Sequence, residues 1–203
     1  VVALPRAVMA RIVAVMTMTA VTGGLLFNFT TNGNGQLLRE RFAGIVEDPA
    51  TLGMMLAGVY ALASFAQVVV GRLIDRYPLR RVYLAIVVVQ APLLALAAVA
   101  QGWWLLALQA AFMVAIFGAI PFTDAMVVRY VDDRMRSRVT GIRLAISFGV
   151  SSLAVWMLGP VVKAAGFGWL LFAMAGIALC TLAFVLCLPA PARAGPAGEG
   201  APA

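Results

Sequence analysis

Histidine is absent from the sequence and cysteine occurs only twice. The first absence removes the commonest biological metal ligand and proton shuttle, and without a Cys/His cluster no metal site is expected. Cys180 and Cys187 stand seven apart inside an apolar run, where thiols pack more often than they bridge. Charge is scarce too, because Asp, Glu, Lys and Arg make up 11% of the chain and only 8 of its residues are acids. There is no G-x-x-x-x-G-K-[ST] segment to cradle phosphate and no soluble domain to hold a nucleotide, so direct use of ATP by this chain is not expected. No cofactor and no enzymatic activity are expected.

What is present is apolar. Hydrophobic residues are 64% of the chain and the mean hydropathy is +1.01, outside the range of water-soluble domains. A hydrocarbon core about 30 Å thick needs roughly 20 apolar residues per helical crossing. Six such runs occur, at 12–30, 52–70, 82–100, 103–128, 144–162 and 167–188. Their length and all-round hydrophobicity favour helices over barrel strands, which are about 10 residues long and alternate apolar with polar. The expectation is an all-α, multi-pass membrane protein. The Pro/Ala/Gly-rich end, 189–203, lacks a hydrophobic pattern and reads as a disordered tail.

The net charge of +7 could suggest a nucleic-acid partner, but in a membrane chain the division of positive residues between loops decides what it means. Arg6, Arg11, Arg72, Arg76, Arg80, Arg81, Arg129, Arg134, Arg136, Arg138, Arg143 and Arg193 fall on one side of the six runs, against Arg39, Arg41 and Lys163 on the other. The positive-inside rule therefore puts both termini and both basic joints in the cytoplasm, with a bacterial inner membrane as the expected location and no nucleic-acid partner. Trp103 and Trp104 at the outer end of the fourth run, and Tyr77, Tyr83 and Tyr130 near cytoplasmic ends, agree with interfacial placement of aromatic rings.

The joint between the second and third runs reads "VVVGRLIDRYPLRRVYL". Gly71, Asp75, Arg76 and Arg80 match positions of the G-x-x-x-D-R-x-G-R-R loop signature of the major facilitator superfamily, which this stretch resembles. Pro78 and Leu79 replace the usual glycine and first paired basic residue. The segment "RYVDDRMRSRVTGIR", 129–143, also looks like the loop between the fourth and fifth helices of a facilitator half. The resemblance implies six helices built as two inverted three-helix repeats, a transport function by alternating access, and a second six-helix half or a second copy as partner. The degenerate motif and the terminal low-complexity tail favour the C-terminal half, and Val1, which is no initiator methionine, suits a fragment.

The motif also has a physical reading. Gly71 permits close approach of a neighbouring helix, and Asp75 lies level with the start of the fifth run, where a helix N-terminus favours a carboxylate. With Arg134, Arg136 and Arg138 nearby, a charge cluster here would tie the second helix to the fifth, and the resemblance implies that Gly71, Asp75, Arg76 and Arg80 form a conformational latch with Asp75 as its key residue.

Polar residues inside spans are costly and commonly face the bundle interior. Tyr60, Ser64 and Gln67 recur at helical spacing on the second run, Thr17, Gly24, Asn28 and Thr31 on the first, and Gln109 opens a face of the fourth that later carries Thr123 and Asp124. These stripes are the expected lining of a solute cavity, with Gly23-Gly24 softening the first helix. Asp124 is the one acid inside a run and Arg143 enters the fifth at similar depth, so an intramembrane ion pair is expected. Carriage of a coupling proton or ion by Asp124, or plain interfacial exposure, are the alternatives. "NGNG" at 32–35 reads as a turn outside the membrane. The rival to a transporter is a non-transporting six-helix receptor-like or assembly subunit.

Overall fold

The computed structural model describes residues 6–131 and 133–187. The expected tail at 189–203 lies outside them. Five helices account for nearly all of the described residues: α1 (Arg6–Arg41), α2 (Pro49–Arg76), α3 (Leu79–Val99), α4 (Gly102–Tyr130) and α5 (Asp133–Leu186). All five are long and apolar enough to cross a membrane, and no strand occurs among the described residues. Much of the apolar surface faces outward, with Phe65 71% and Phe148 68% exposed. Water would not tolerate such a surface, but lipid is its ordinary solvent.

The helix limits follow local chemistry. α2 begins on Asp48, whose carboxylate accepts from the Thr51 backbone N–H at 2.9 Å and from its hydroxyl at 2.6 Å, with Pro49 in the first turn. It ends before Pro78, which holds Tyr77 in extended backbone.

α5 is continuous except at Gly166, where φ is 78° and ψ 168°, a conformation that a side chain would strain. Asn28 of α1 donates to Ser151 on the first arm of α5, and Thr181 on the second arm donates to Thr22 of α1. Ser151 and Thr181 are each fifteen residues from Gly166, so an unbroken helix would hold them about 45 Å apart. Their partners on α1 are separated by about 9 Å. The arms therefore run side by side in opposite directions, 133–165 and 167–186.

Three buried clusters stack along the bundle. Leu38, Phe42 and Leu52 close one end, with Phe42 edge-on to Trp103 at 5.4 Å. Leu94, Phe112, Met113, Phe167 and Met174 fill the middle. Tyr83, stacked on Phe122 at 4.6 Å, and Val185 occupy the end nearer the arginine-rich turns. α4 is the central post, packing on α1, α2 and α3, while α5 covers α1 and α3.

Three sequence expectations need correction. "NGNG" is not a turn, because α1 runs through it to Arg41. Asn32 donates to the Asn28 carbonyl at 2.8 Å, and Asn34 is buried beside Met113 of α4. Tertiary packing thus overrides turn propensity there. The 129–143 segment is mostly helix, with α4 continuing to Tyr130 and α5 starting at Asp133. Gly71 does not admit a neighbouring helix, since a Cβ there would meet nothing within 4 Å. The close approach falls instead at Gly118 on α4, where a Cβ would lie 3.2 Å from Val70 of α2.

Candidate functional site

Long arginines reach helix ends at both extremities of the bundle. The last carbonyls of a helix lack intrahelical partners and carry partial negative charge. Arg80 donates to the Leu186 carbonyl at 3.0 Å, Arg136 to the Val128 carbonyl at 2.9 Å and Arg41 to the Ala98 carbonyl at 3.1 Å. Arg80 thus fastens the start of α3 to the end of α5, a role that spacing within its loop does not reveal. Asp75 is exposed and has no hydrogen bond or ion pair among the described residues, and the same holds for Arg76.

Above this end lies a cavity of about 530 Å³ between α1, α3, α4 and the first arm of α5. Gly23 and Gly24 form part of its α1 wall, and a Cβ at either would meet nothing within 4 Å. Packing does not require these glycines, so their effect is to leave the space open. Asn28 sends both amide protons into protein, to the Gly24 carbonyl at 2.8 Å and to Ser151 Oγ at 2.7 Å. Its side-chain oxygen is left as an acceptor in the wall. Thr19, Thr123, Ser147 and Ser151 add hydroxyls among Phe27, Tyr83, Ile116 and Phe148. The lining is chiefly apolar with a few polar groups, the composition of small-molecule sites.

Arg143 also lines the cavity, and its Nη2 donates to Asp124 Oδ1 at 2.5 Å. The Arg143 side chain is 15% exposed and that of Asp124 68%. The cation therefore sits in the wall, while its counter-ion stands at the exposed edge. One of the five N–H donors of Arg143 is used by Asp124 in this pair.

The other sequence candidates are placed elsewhere. Tyr60 donates to the Thr31 carbonyl at 3.0 Å, and Gln109 is fully buried with Nε2 3.5 Å from the Asn34 carbonyl. Together with Asn34 they form a polar knot between α1, α2 and α4, in which Gln109 Oε1 and Thr31 Oγ1 have no partner. Thr17 and Ser64 return their hydroxyls to the carbonyls of Val13 and Tyr60 one turn back. Neither they nor Gln67 line the cavity. Of the stripe residues expected to line a cavity, Gly24, Asn28 and Thr123 lie in its wall. Thr19 was missed, while Ser147 and Ser151, legible as the helical stripe that continues from Arg143, were tied to the ion pair and not to a cavity.

No curated protein and no solved structure matches the chain. Residues 7–203 match the model of the Major Facilitator Superfamily. With membrane-length helices, a loop carrying Gly71, Asp75, Arg76 and Arg80, and a cavity between helices, the chain belongs to the major facilitator superfamily of membrane transporters.

Proposed function

We propose that the chain is one six-helix half of a secondary transporter, built as two inverted three-helix repeats, that moves a small solute by alternating access. The observation that carries this reading is the cavity with Asn28, Ser151 and Arg143 in its wall. Counting the two antiparallel arms of α5 as separate crossings gives six spans. The excess of arginine at the α2–α3 and α4–α5 turns supports cytoplasmic termini in a bacterial inner membrane. The other six-helix half, or a second copy, covers the open side of the cavity.

In this reading Arg143 orients the solute and Asp124 responds to its arrival, taking a coupling proton when the solute competes for the guanidinium. Asp75 latches the cytoplasmic side in one state and is released in the other, while Arg80 keeps α3 joined to α5 throughout. Proteoliposomes holding the protein with its complementary half, energised by a pH gradient and screened with labelled solutes, test the reading. Saturable uptake that Asn28→Ala weakens is expected. An absence of uptake from this assembly and from the chain alone favours the non-transporting alternative.

A further inference from the structure

A second concavity, about 470 Å³, lies between α2, α3 and α4, bounded by Leu62, Phe65 and Val69 on α2, Ile86 and Val89 on α3 and Val114 on α4. It has no titratable side chain. On α4 its residues Ala111, Val114 and Ala115 lie about 120° round the helix from Ile116, Ala119 and Thr123 of the solute cavity. A half docked over the cavity therefore leaves this groove to the bilayer.

The groove is charged at one end only. Arg72 and Arg76 follow Val69 by three and seven residues along α2, and Arg81 precedes Ala85, another groove residue, by four along α3. Helical spacing puts all three near the groove's continuation toward the α2–α3 turn. All three are exposed and have no ion pair among the described residues. Asp75, the neighbouring acid, is about 150° round α2 from the groove centre. The remaining arginine around this turn, Arg80, is turned away to Leu186.

An apolar trough ending in three uncommitted guanidinium groups matches an amphiphile with an anionic head and a hydrocarbon tail. Guanidinium pairs well with phosphate, and the trough supplies a dry surface for one acyl chain. We propose that this groove binds an anionic phospholipid from the leaflet on the arginine-rich side, its tail between Phe65 and Val89 and its phosphate at Arg72, Arg76 and Arg81. Each basic residue near an anionic lipid surface is worth about fivefold in affinity, so the three together supply on the order of 100-fold.

Native mass spectrometry of the detergent-solubilised chain, titrated separately with phosphatidylglycerol and phosphatidylcholine, reads this directly. Phosphatidylglycerol is expected to be retained preferentially. The triple variant R72Q/R76Q/R81Q should lose that preference, the triple lysine variant should keep most of it, and Val69→Trp should weaken retention of both lipids by filling the trough. Equal retention of the two lipids by the unmodified chain overturns the proposal, as does preference surviving in the glutamine variant. A dimer that Val69→Trp dissolves, with no lipid retained, overturns it in favour of an interface between copies. If the glutamine variant fails to fold, the lysine and tryptophan variants decide the matter.

Discussion

Asn28 and Ser151, 123 residues apart in sequence, are joined by a 2.7 Å hydrogen bond across the wall of the cavity. The bond ties α1 to the first arm of α5 within the cavity lining. An interhelical hydrogen bond in a membrane is typically worth about 0.6 kcal/mol and up to about 1.7. Asn28→Ala should therefore cost little stability while raising the KM for solute about tenfold, a loss of about 1.4 kcal/mol. Uptake kinetics and thermal unfolding of the same preparation separate the two effects.

Gly24 allows the opposite manipulation. Because a Cβ there meets nothing within 4 Å, Gly24→Ala should raise helix stability by up to about 1 kcal/mol. The added methyl narrows the cavity, so transport should fall as the melting temperature holds or rises. Gly24→Leu should abolish uptake in a protein that still folds. Normal transport by the leucine variant would show that solute passes elsewhere.

Arg143 and Asp124 can be separated by charge. Asp124→Asn leaves the guanidinium in the wall without its counter-ion, and uptake driven by a pH gradient should be lost while exchange of labelled for unlabelled solute persists. Arg143→Gln should impair both. Gradient-driven uptake intact in Asp124→Asn would remove the coupling role and leave a structural pair.

Arg80 is expected to matter for stability in a way its loop position does not suggest. Arg80→Ala removes the donor from the Leu186 carbonyl and the positive charge from the end of α5. A loss of about 1 kcal/mol is expected, with faster hydrogen exchange confined to the last turn of α5. Arg76→Ala, which breaks no such bond, is the comparison.

Asp48 supplies a pH dependence on the other side of the membrane. Hydrogen bonds from the Thr51 hydroxyl and backbone N–H hold its carboxyl below the ordinary value. A carboxylate depressed in the folded state binds its proton more readily when unfolded. Its contribution is fully present above the ordinary carboxylate pKa and lost as pH falls through the lower folded value. Exchange of the first-turn amides of α2 should accelerate in that acidic window, and Asp48→Ala should remove the dependence.

Membrane character was legible in the sequence because hydropathy over 20 residues is a property of the chain alone. The ion pair was also legible, since Asp124 and Arg143 are charges in apolar runs and such charges seek each other. The cavity wall was harder. The phase of Tyr60, Ser64 and Gln67 identifies a stripe on α2, but phase does not say what that stripe meets. Tyr60 meets α1 in a buried knot, and Ser64 turns back on its own backbone. The stripe of Ser147 and Ser151 was visible in the sequence, but that it faces the cavity, with Ser151 bonded to Asn28, depends on packing. "NGNG" misled because Asn34 finds partners on α2 and α4 that no local window contains.

The single-residue reversal at Gly166 sets how α5 can move. A joint with no spare residues has no slack to absorb sliding, so its two arms form a stiff clip whose mouth opens away from Gly166. Both arms grip α1, through Ser151 and Thr181. A tilt that widens the cavity beside Asn28 by drawing the first arm outward must therefore drag the second arm or break its hold on Thr22. Lengthening the joint by two residues would uncouple the arms, turning one lever into two independent rods.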